Sequence, residues 1–278
     1  MAAEALVRWH VEDGVGHIVL NRPAAANALN SAAGLALADA IGQAARADIG
    51  AVLLSSTGRQ FCAGGDIGEF VQRQADLDRL VRAMLDPLHP AIHTLATLPV
   101  PVVSAVHGPV GGAGIALALC ADIVLATPAM KLRGGYSAIG LSPDLGASYY
   151  LARRAGAARA KLILMTNRAI AAEECLRWGL VDELHEPEAL PGAARALALQ
   201  LARGATGSLG GIKRLCDGAL QHDLRTHLQL EREALLRCAV SADGREGINA
   251  FMARRAPVFT DPRLPTAGGT DSISEENP

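Results

Sequence analysis

The chain has 278 residues, half of them hydrophobic, and a formal net charge of −2. This length allows a large buried core in one domain, or in one domain with a helical extension. The balanced charge provides no basic surface for nucleic acid or for an anionic membrane, so we expect neither as a partner.

Cysteine usage and hydropathy are typical of a cytoplasmic protein. The five cysteines are scattered, without a C-x-x-C pair or the spacing of a zinc site, which indicates reduced thiols. Residues 1–10 lack the apolar segment of a signal peptide. The longest apolar stretch, residues 100–126, is interrupted by Pro101, Pro109 and Asp122. It is therefore predicted to be buried core and not a membrane helix.

Hydrophobic periodicity and turn residues predict alternating strands and helices in the first two thirds of the chain. Asp13-Gly14 is a strong hairpin signal, and Asn30 or Ser31 suits the cap of a following helix. The predicted elements are a hairpin (6–12 and 17–20), helix 32–46, strand 51–55, a helical stretch 77–98 interrupted at Pro87 and Pro90, strand 101–106, a helix from Ala113 to Asp122, strands 122–126 and 130–133, helices 145–152 and 157–166, strand 168–170, helix 171–178 and strand 179–184.

A change of composition at Pro187 predicts a boundary. Residues 1–187 form the α/β core, and residues 188–260 read as helices only. Residues 261–278 are polar and contain Gly, Pro and Ser, so we expect a disordered tail. The predicted C-terminal helices are 188–203, 208–220, 223–241 and 244–255.

A glycine turn joins the strand 101–106 to the helix after it. Its sequence, His107-Gly-Pro-Val-Gly-Gly-Ala-Gly114, does not fit the dinucleotide fingerprint, because Leu117 stands at the third glycine position. The turn does not fit a phosphate-binding P-loop either, because the residue after its last glycine is Ile115 and not Lys. Two interpretations stay open: a turn whose free N–H groups bind an oxyanion, or a tight structural crossing.

A second glycine loop, residues 57–66, also follows a strand and precedes a helix. Its Gly65 N–H could therefore face the same space as the Ala113 N–H. Two backbone donors directed at one carbonyl oxygen form an oxyanion hole, which lowers the barrier when a thioester is converted to an enolate.

Asp144 is the carboxylate that stands out, since it lies between Pro143 and Leu145 in an apolar loop flanked by glycines. Burial in such a loop raises the pKa of a carboxyl group, as a general base for a carbon acid requires. The alternative is an N-cap for a helix over residues 145–152, which residue type alone favours.

His89 and His93 lie one turn apart on the predicted helix 77–98. Such a pair can bind a metal, but the sequence has no H-E-x-x-H motif and no acidic third ligand nearby. No metal site is therefore predicted. We expect one histidine to line a pocket and the other to be solvated.

Six segments occur together in an order and spacing that resemble the crotonase (enoyl-CoA hydratase/isomerase) superfamily, over nearly the whole chain to Thr260. The resemblance implies a spiral of strand-strand-helix (ββα) turns with a C-terminal helical trimerisation region, assembled as a homotrimer or homohexamer. The segments are Asn21-Arg-Pro with Asn27-Ala-Leu, Phe61-Cys-Ala-Gly-Gly-Asp-Ile, His107-Gly-Pro-Val-Gly-Gly-Ala-Gly ending in Asp122, Gly140-Leu-Ser-Pro-Asp, Ala172-Glu-Glu with Trp178-Gly-Leu-Val-Asp, and Arg245-Glu-Gly-Ile-Asn-Ala-Phe.

The resemblance also implies site residues. Gly65 and Ala113 match the oxyanion donors, and Phe251 and Arg254 resemble residues that reach the coenzyme end. Coenzyme A would enter as part of an acyl-CoA substrate, with no prosthetic group. The positions that match the coenzyme A site are Arg22, Ala28, Ala63, Asp66 and Ile67.

Two positions depart from the pattern of the family's hydratases. Those enzymes are expected to carry glutamates where this chain has Ala116 and Tyr136. Adding water needs one group for the water and another for the α-proton, so the loss of both argues against hydratase activity. Asp144 matches the single base of the superfamily's phenylacetate-degradation-type isomerases. The resemblance therefore implies a double-bond shift, or a ring-opening isomerisation, in an acyl-CoA.

Three alternatives remain. One is an ordinary enoyl-CoA hydratase. Another is an aroyl-CoA dehalogenase, in which Asp144 would attack the ring and His89 would activate water, although Tyr136 and Gly65 replace the larger aromatic residues of that branch. The third is a non-catalytic acyl-CoA or RNA-binding relative, which the near-neutral charge and the retained Asp144 disfavour.

Overall fold

The computed structural model describes residues 4–260, and the expected disordered tail 261–278 lies outside them. The strands are β1 (Val7–Glu12), β2 (Val15–Leu20), β3 (Ala51–Ser56), β4 (Val102–Val106), β5 (Val110–Gly111), β6 (Ile123–Ala126), β7 (Lys131–Arg133), β8 (Ile170–Ala171) and β9 (Glu183–Leu184). The helices are α1 (Ser31–Arg46), α2 (Ile67–Gln72), α3 (Leu77–Thr97), α4 (Gly114–Leu119), α5 (Ala147–Ala155), α6 (Ala157–Thr166), α7 (Ala172–Arg177), α8 (Leu190–Ala202), α9 (Thr206–Gly218), α10 (Leu224–Val240) and α11 (Ala242–Met252).

Two sheets build the first part of the chain. The larger has the order β1-β2-β3-β4-β6-β9, in which β1 and β2 form the predicted antiparallel hairpin and the other pairs are parallel. The smaller has the order β5-β7-β8. The chain passes from β4 through β5 to α4, and then from β6 through β7 to α5. This repeat of one strand from each sheet followed by a helix is the expected ββα spiral.

Both faces of the large sheet are buried, which explains its nearly continuous apolar strands. On one face, Val52 and Leu54 of β3 belong to a core shared with α1, α3 and α4. On the other face, Leu53 packs with Ala194 and Ala198 of α8. The glycine turn and the loop after β3 therefore start from strands that cannot shift easily.

The helix α3 continues through Pro87 and Pro90, so the interruption expected there is wrong. Each proline removes one backbone hydrogen bond, but α3 buries an apolar face against α1, and this packing maintains the helix. Gly34 of α1 allows the close approach, because a Cβ atom there would lie 3.2 Å from Cδ1 of Leu88. The prolines lie outside the buried face, which consists of Leu80, Met84, Leu88, Ala91, Ile92 and Leu95.

The chain divides into two compact units, one ending at Gly204 and the other beginning at Ala205. The helix α8 belongs to the first unit, so this division falls one helix after the composition change at Pro187. Helices α9, α10 and α11 form the second unit. None of the helices in the described range is both long and apolar enough to span a membrane.

Candidate active site

The two glycine loops cross in direct contact. The Gly111 N–H donates to the Cys62 carbonyl at 2.9 Å. A Cβ atom on Gly64 would lie 2.9 Å from the Gly111 carbonyl oxygen, and one on Gly114 would lie 2.5 Å from that of Cys62. Gly64 also has a φ of +100°, which other residues rarely adopt. The tight crossing that the sequence left open is therefore present, and glycine is required for it.

The crossing also brings two unused backbone donors to the lining of one cavity. Gly65 and Ala113 both line this cavity, and neither N–H donates a hydrogen bond to another residue of the described chain. Their neighbours are used internally, since Asp66 N–H donates to Leu29 and Ile115 N–H to Gly112. The crossing and the oxyanion-binding turn are thus compatible: the first arranges the donors that the second needs.

The central helix is shorter than predicted, because α4 ends at Leu119. Asp122 instead ties the chain back to β4. Its carboxylate accepts a hydrogen bond from the Val102 N–H at 2.7 Å, and its own N–H donates to the Val102 carbonyl at 2.8 Å. This link holds the beginning of the strand that leads into the glycine turn.

Asp144 lies in the same cavity and does not cap the helix that follows it. The helix α5 begins at Ala147 after Gly146 and has no side-chain cap. The Asp144 carboxylate instead accepts a hydrogen bond from the Tyr136 hydroxyl, at 2.6 Å from Oδ1. Burial raises the pKa of the Asp144 carboxyl above its ordinary value, although the Tyr136 hydrogen bond and the charge of His89 act in the opposite direction. A buried carboxyl with a raised pKa is suited to general-base catalysis.

Tyr136 begins a 3₁₀ turn, Tyr136–Ile139, and its side chain reaches hydrogen-bonding distance of Asp144. The turn is entered through Gly135, whose N–H donates to the Asn167 side-chain oxygen at 2.7 Å. Burial and the negative charge of Asp144 raise the pKa of the Tyr136 hydroxyl, so it remains a proton-bearing donor. The sequence did not predict this hydrogen bond, because it depends on a turn geometry that the seven intervening residues do not reveal.

The cavity has a volume of about 560 Å³ and a mainly apolar lining. This volume falls within the usual range for small-molecule sites, roughly 300–1,000 Å³. Its walls come mainly from residues 70–95 and 133–150. Asp144 and Arg133 are its charged lining residues, and sequence patterns gave no signal for Arg133. The main apolar lining residues are Phe70, Val81, Met84, Leu85, Leu88, Ile139 and Leu141.

The residues matched to a coenzyme A site fall into two groups. Ala63 and Ile67 line the cavity. Arg22, Ala28 and Asp66 form a network instead: the Arg22 guanidinium donates to the Ala28 carbonyl at 3.0 Å and to the Asp66 carboxylate at 2.6 Å. Asp66 also caps α2 by accepting from the N–H groups of its first turn. This network supports the loop that carries Gly65, and contact with coenzyme A stays a prediction.

The remaining predicted residues lie away from the cavity lining or in the second unit. His89 and His93 are both exposed, and the lining includes neither. The expectation that one of the pair lines the pocket is therefore not met, because Met84 and Leu88 occupy the cavity side of α3. Phe251 is 83% exposed on α11, and Arg254 follows that helix.

One group of three potential metal ligands occurs within residues 4–260, and it does not involve the α3 histidines. It consists of His10, Glu12 and His17 on the β1–β2 hairpin. Arg195 is already ion-paired with Glu12 at 3.1 Å.

Comparisons with known proteins agree over most of the chain. The family model described as "Enoyl-CoA hydratase/isomerase" matches residues 10–262. The 1,2-epoxyphenylacetyl-CoA isomerase of Escherichia coli (strain K12) is 39% identical over 256 residues, which cover 90% of this chain and 97% of that protein. The trans-2-decenoyl-(acyl-carrier-protein) isomerase of Streptococcus mutans is 31% identical, covering 91% of this chain and 97% of the relative. The crystal structure of an enoyl-CoA hydratase from Polaromonas sp. JS666 has a TM-score of 0.86 and 31% identity, covering 91% of this chain and 99% of its own.

Proposed function

Because the chain belongs to the enoyl-CoA hydratase/isomerase family, we propose that it is an isomerase that moves a double bond within the acyl group of a coenzyme A thioester, with Asp144 as its single acid–base group. The observation that supports this proposal most directly is the cavity itself. Its lining contains one carboxylate, that of Asp144, together with Gly65 and Ala113, whose N–H groups donate to no other residue of the described chain.

The cavity provides a chemical group for each step of this reaction. The thioester carbonyl oxygen accepts hydrogen bonds from the Gly65 and Ala113 N–H groups, which stabilise negative charge on it. Ionised Asp144 then removes a proton from the carbon between the thioester carbonyl and the double bond, and the electron pair of that C–H bond moves into a dienolate. The protonated carboxyl returns the same proton two carbons along, and the carbonyl re-forms. No water is consumed.

The cavity supports isomerisation better than hydration. The positions where the resemblance implies hydratase glutamates are Ala116, which is fully buried, and Tyr136. Hydration needs a group that activates water as well as a group that manages the α-proton, and a single carboxylate serves only one of these at a time. The name of the Escherichia coli relative also describes an isomerase.

The lining favours an apolar acyl group, aliphatic or aromatic, because it includes large apolar side chains such as Phe70, Met84 and Leu141. Coenzyme A belongs to the substrate in this proposal, with Ala63 and Ile67 beside the thioester. A dehalogenase role has less support, because His89, the residue that would activate water, is exposed and outside the cavity lining.

A homotrimer, or a pair of trimers, is the proposed assembly. The second unit exposes many large apolar side chains, more than a small set of helices usually presents to water. They include Leu224 (73%), Leu235 (70%), Val240 (73%), Phe251 (83%) and Met252 (77%).

The test is to incubate the pure protein with a 3-enoyl-CoA in deuterated buffer, and to follow conjugated-thioester absorbance and product mass. We expect conversion to the 2-enoyl-CoA without gain of water. Asp144→Asn should lose at least about a hundredfold in kcat, with acyl-CoA affinity nearly unchanged. Asp86→Asn, at an exposed position on α3, is the matched control and should retain activity.

Two results would overturn the proposal. A product heavier by one water would identify a hydratase. Full activity in Asp144→Asn would remove Asp144 from the chemistry.

A further inference from the structure

Tyr136 and Asp144 meet inside the cavity as a pair. Tyr136 is only 7% exposed, and its hydroxyl lies 2.6 Å from Asp144 Oδ1. Both residues line the space where an acyl group would bind. A hydrogen bond of this length to an ionised oxygen is among the stronger kinds in proteins, and it limits rotation of the carboxylate about its last torsion angle.

This contact makes the two oxygens of Asp144 different. Oδ1 accepts from the Tyr136 hydroxyl, whereas no side chain of the described residues donates a hydrogen bond to Oδ2; the backbone N–H of Asp144 also acts on the carboxylate. The hydroxyl keeps its proton, because burial and the neighbouring charge both raise its pKa. It therefore donates continuously and cannot itself take a proton from substrate.

We propose that Tyr136 is a positioning residue that holds Oδ1 of Asp144, so that Oδ2 alone takes and returns the substrate proton, a role that rests on the proposed isomerase function. In the first step, the proton leaves the substrate carbon and forms the O–H bond of Oδ2. In the second, that O–H bond breaks and the proton joins the carbon two positions along. Tyr136 keeps the protonated carboxyl from turning away between the steps.

The other groups that face Asp144 do not duplicate this contact. Cys62, in the glycine loop, has a thiol whose pKa burial raises to about 12, so it is neutral. His89, on α3, acts on Asp144 through its charge. Arg133, at the end of β7, lines the cavity and donates through Nε to the Asn167 carbonyl at 3.0 Å.

Two measurable properties should depend on the Tyr136 hydroxyl. The first is the acidic limb of the kcat/KM profile, which reports the pKa of the free enzyme's base. The second is the fraction of product that carries solvent deuterium. A carboxyl held with Oδ2 toward the dienolate returns its own proton quickly, whereas one that turns freely has time to exchange with solvent.

The experiment compares Tyr136→Phe with Tyr149→Phe, which removes one hydroxyl from an exposed tyrosine on α5. Wild-type protein and both variants are assayed with a 3-enoyl-CoA from pH 4 to pH 9, in water and in deuterated buffer. We expect Tyr136→Phe to move the acidic limb upward by about one to two pH units, since a hydrogen bond to a charged group is lost. Solvent deuterium in the product should rise, kcat should fall and KM should change little. Tyr149→Phe should match wild type.

The outcomes separate the two proposals. Absence of isomerisation by the wild-type protein overturns both. Isomerisation by wild type, with the same acidic limb and the same deuterium content in Tyr136→Phe, overturns the positioning role alone. A uniform fall in kcat without either shift indicates lost packing and also overturns it. Thermal unfolding of each variant shows that the compared proteins are folded.

Discussion

The position of Asp144 lowers the stability of the folded protein. Burial raises the pKa of its carboxyl, so keeping the group ionised at neutral pH opposes folding. The next residue, Leu145, is buried with a φ of +49°, a left-handed conformation that costs a leucine on the order of 1 kcal/mol. Strained backbone and a destabilised charge at one point are typical of functional sites, where activity is retained at the expense of stability.

Replacing this carboxylate should therefore stabilise the protein. A group whose pKa is higher in the folded state than in the unfolded state favours folding most below its unfolded pKa, and this contribution is lost as pH rises through the folded pKa. Above the folded pKa this contribution is gone, so at such pH values Asp144→Asn should melt at a higher temperature than wild type. The amide oxygen can still accept from Tyr136. The gain in melting temperature over wild type should shrink as pH falls toward 4. Thermal unfolding of both proteins at several pH values measures this trend. A melting temperature below that of wild type at pH 7 would contradict this account.

His89 should contribute little to catalysis. Its charge lowers the pKa of Asp144, but the side chain is exposed and is absent from the cavity lining. Exposed charges of this kind contribute about 1 kcal/mol at most, so we expect His89→Gln to reduce kcat/KM less than about fivefold. Steady-state kinetics on the 3-enoyl-CoA test this. A loss of a hundredfold or more would place His89 in the chemistry and revive the dehalogenase alternative.

The sequence predicted the candidate base but not its environment. An aspartate between Pro143 and Leu145 in an apolar loop is unusual enough to identify from residue type, and the structure places it in the cavity. The same residues also fitted a helix cap, and only the start of α5 at Ala147 decides between the two. The contact with Tyr136 depends on the path of the 3₁₀ turn, which no periodicity encodes.

The short helix α2 and its cap maintain the loop that carries Gly65. Asp66 accepts from the Gly68 and Glu69 N–H groups and pairs with Arg22. Partial burial raises the pKa of Asp66, but the Arg22 hydrogen bond and the two backbone donors outweigh it and leave the pKa below the ordinary 3.8. Ionised Asp66 therefore contributes stability above its unfolded pKa and loses it as pH falls through the folded value.

Asp66→Ala should lower the free energy of unfolding by about 1–2 kcal/mol at pH 7, the usual cost of losing a helix cap. Asp66→Asn keeps a capping oxygen and loses the charge, so its cost should be smaller. For both variants, the difference from wild type in the free energy of unfolding should become smaller below pH 4. Urea unfolding at pH 7 and pH 3.5 measures them, and equal losses at both pH values would show that the charge of Asp66 is irrelevant.

Tertiary packing explains where the predicted elements fail. Local rules predicted an interruption of α3 at Pro87 and Pro90, yet its buried face against α1 keeps the helix continuous. The cap of α1 was predicted correctly, because Asn30 accepts from the Ala33 N–H through a contact that lies within one turn. Features set by neighbouring residues are thus visible in the sequence, whereas features set by contacts between distant segments are not.

The order of six motifs predicted the family and the spiral, and both are confirmed. Each motif reflects a local requirement, such as glycine at a crossing or a carboxylate that accepts from a strand N–H. Together they constrain the topology. The shape of the acyl cavity is less predictable, because its apolar lining residues can be exchanged without changing the fold.

The proposed assembly makes a prediction about mass. Light scattering coupled to size exclusion should give three or six times the 28.8 kDa of one chain. Replacing Leu224 and Leu235 on α10 with glutamate should reduce this mass, because charges would enter a surface that otherwise excludes water. Gln229→Glu adds charge at an exposed position of the same helix without removing an apolar contact. A monomeric wild-type protein would refute the proposal.

The crossing of the two glycine loops also determines when the site can form. Gly111 bonds to Cys62 across about fifty residues, and Leu29 bonds to Gly64 across about thirty-five. Contacts between segments so distant in sequence form slowly, because closing the loop between them costs entropy before the hydrogen bonds that offset this cost can form. During refolding, helical signal should therefore return before acyl-CoA binding does. On the ribosome, Gly65 cannot adopt its final arrangement with Ala113 until the chain beyond the glycine turn has emerged.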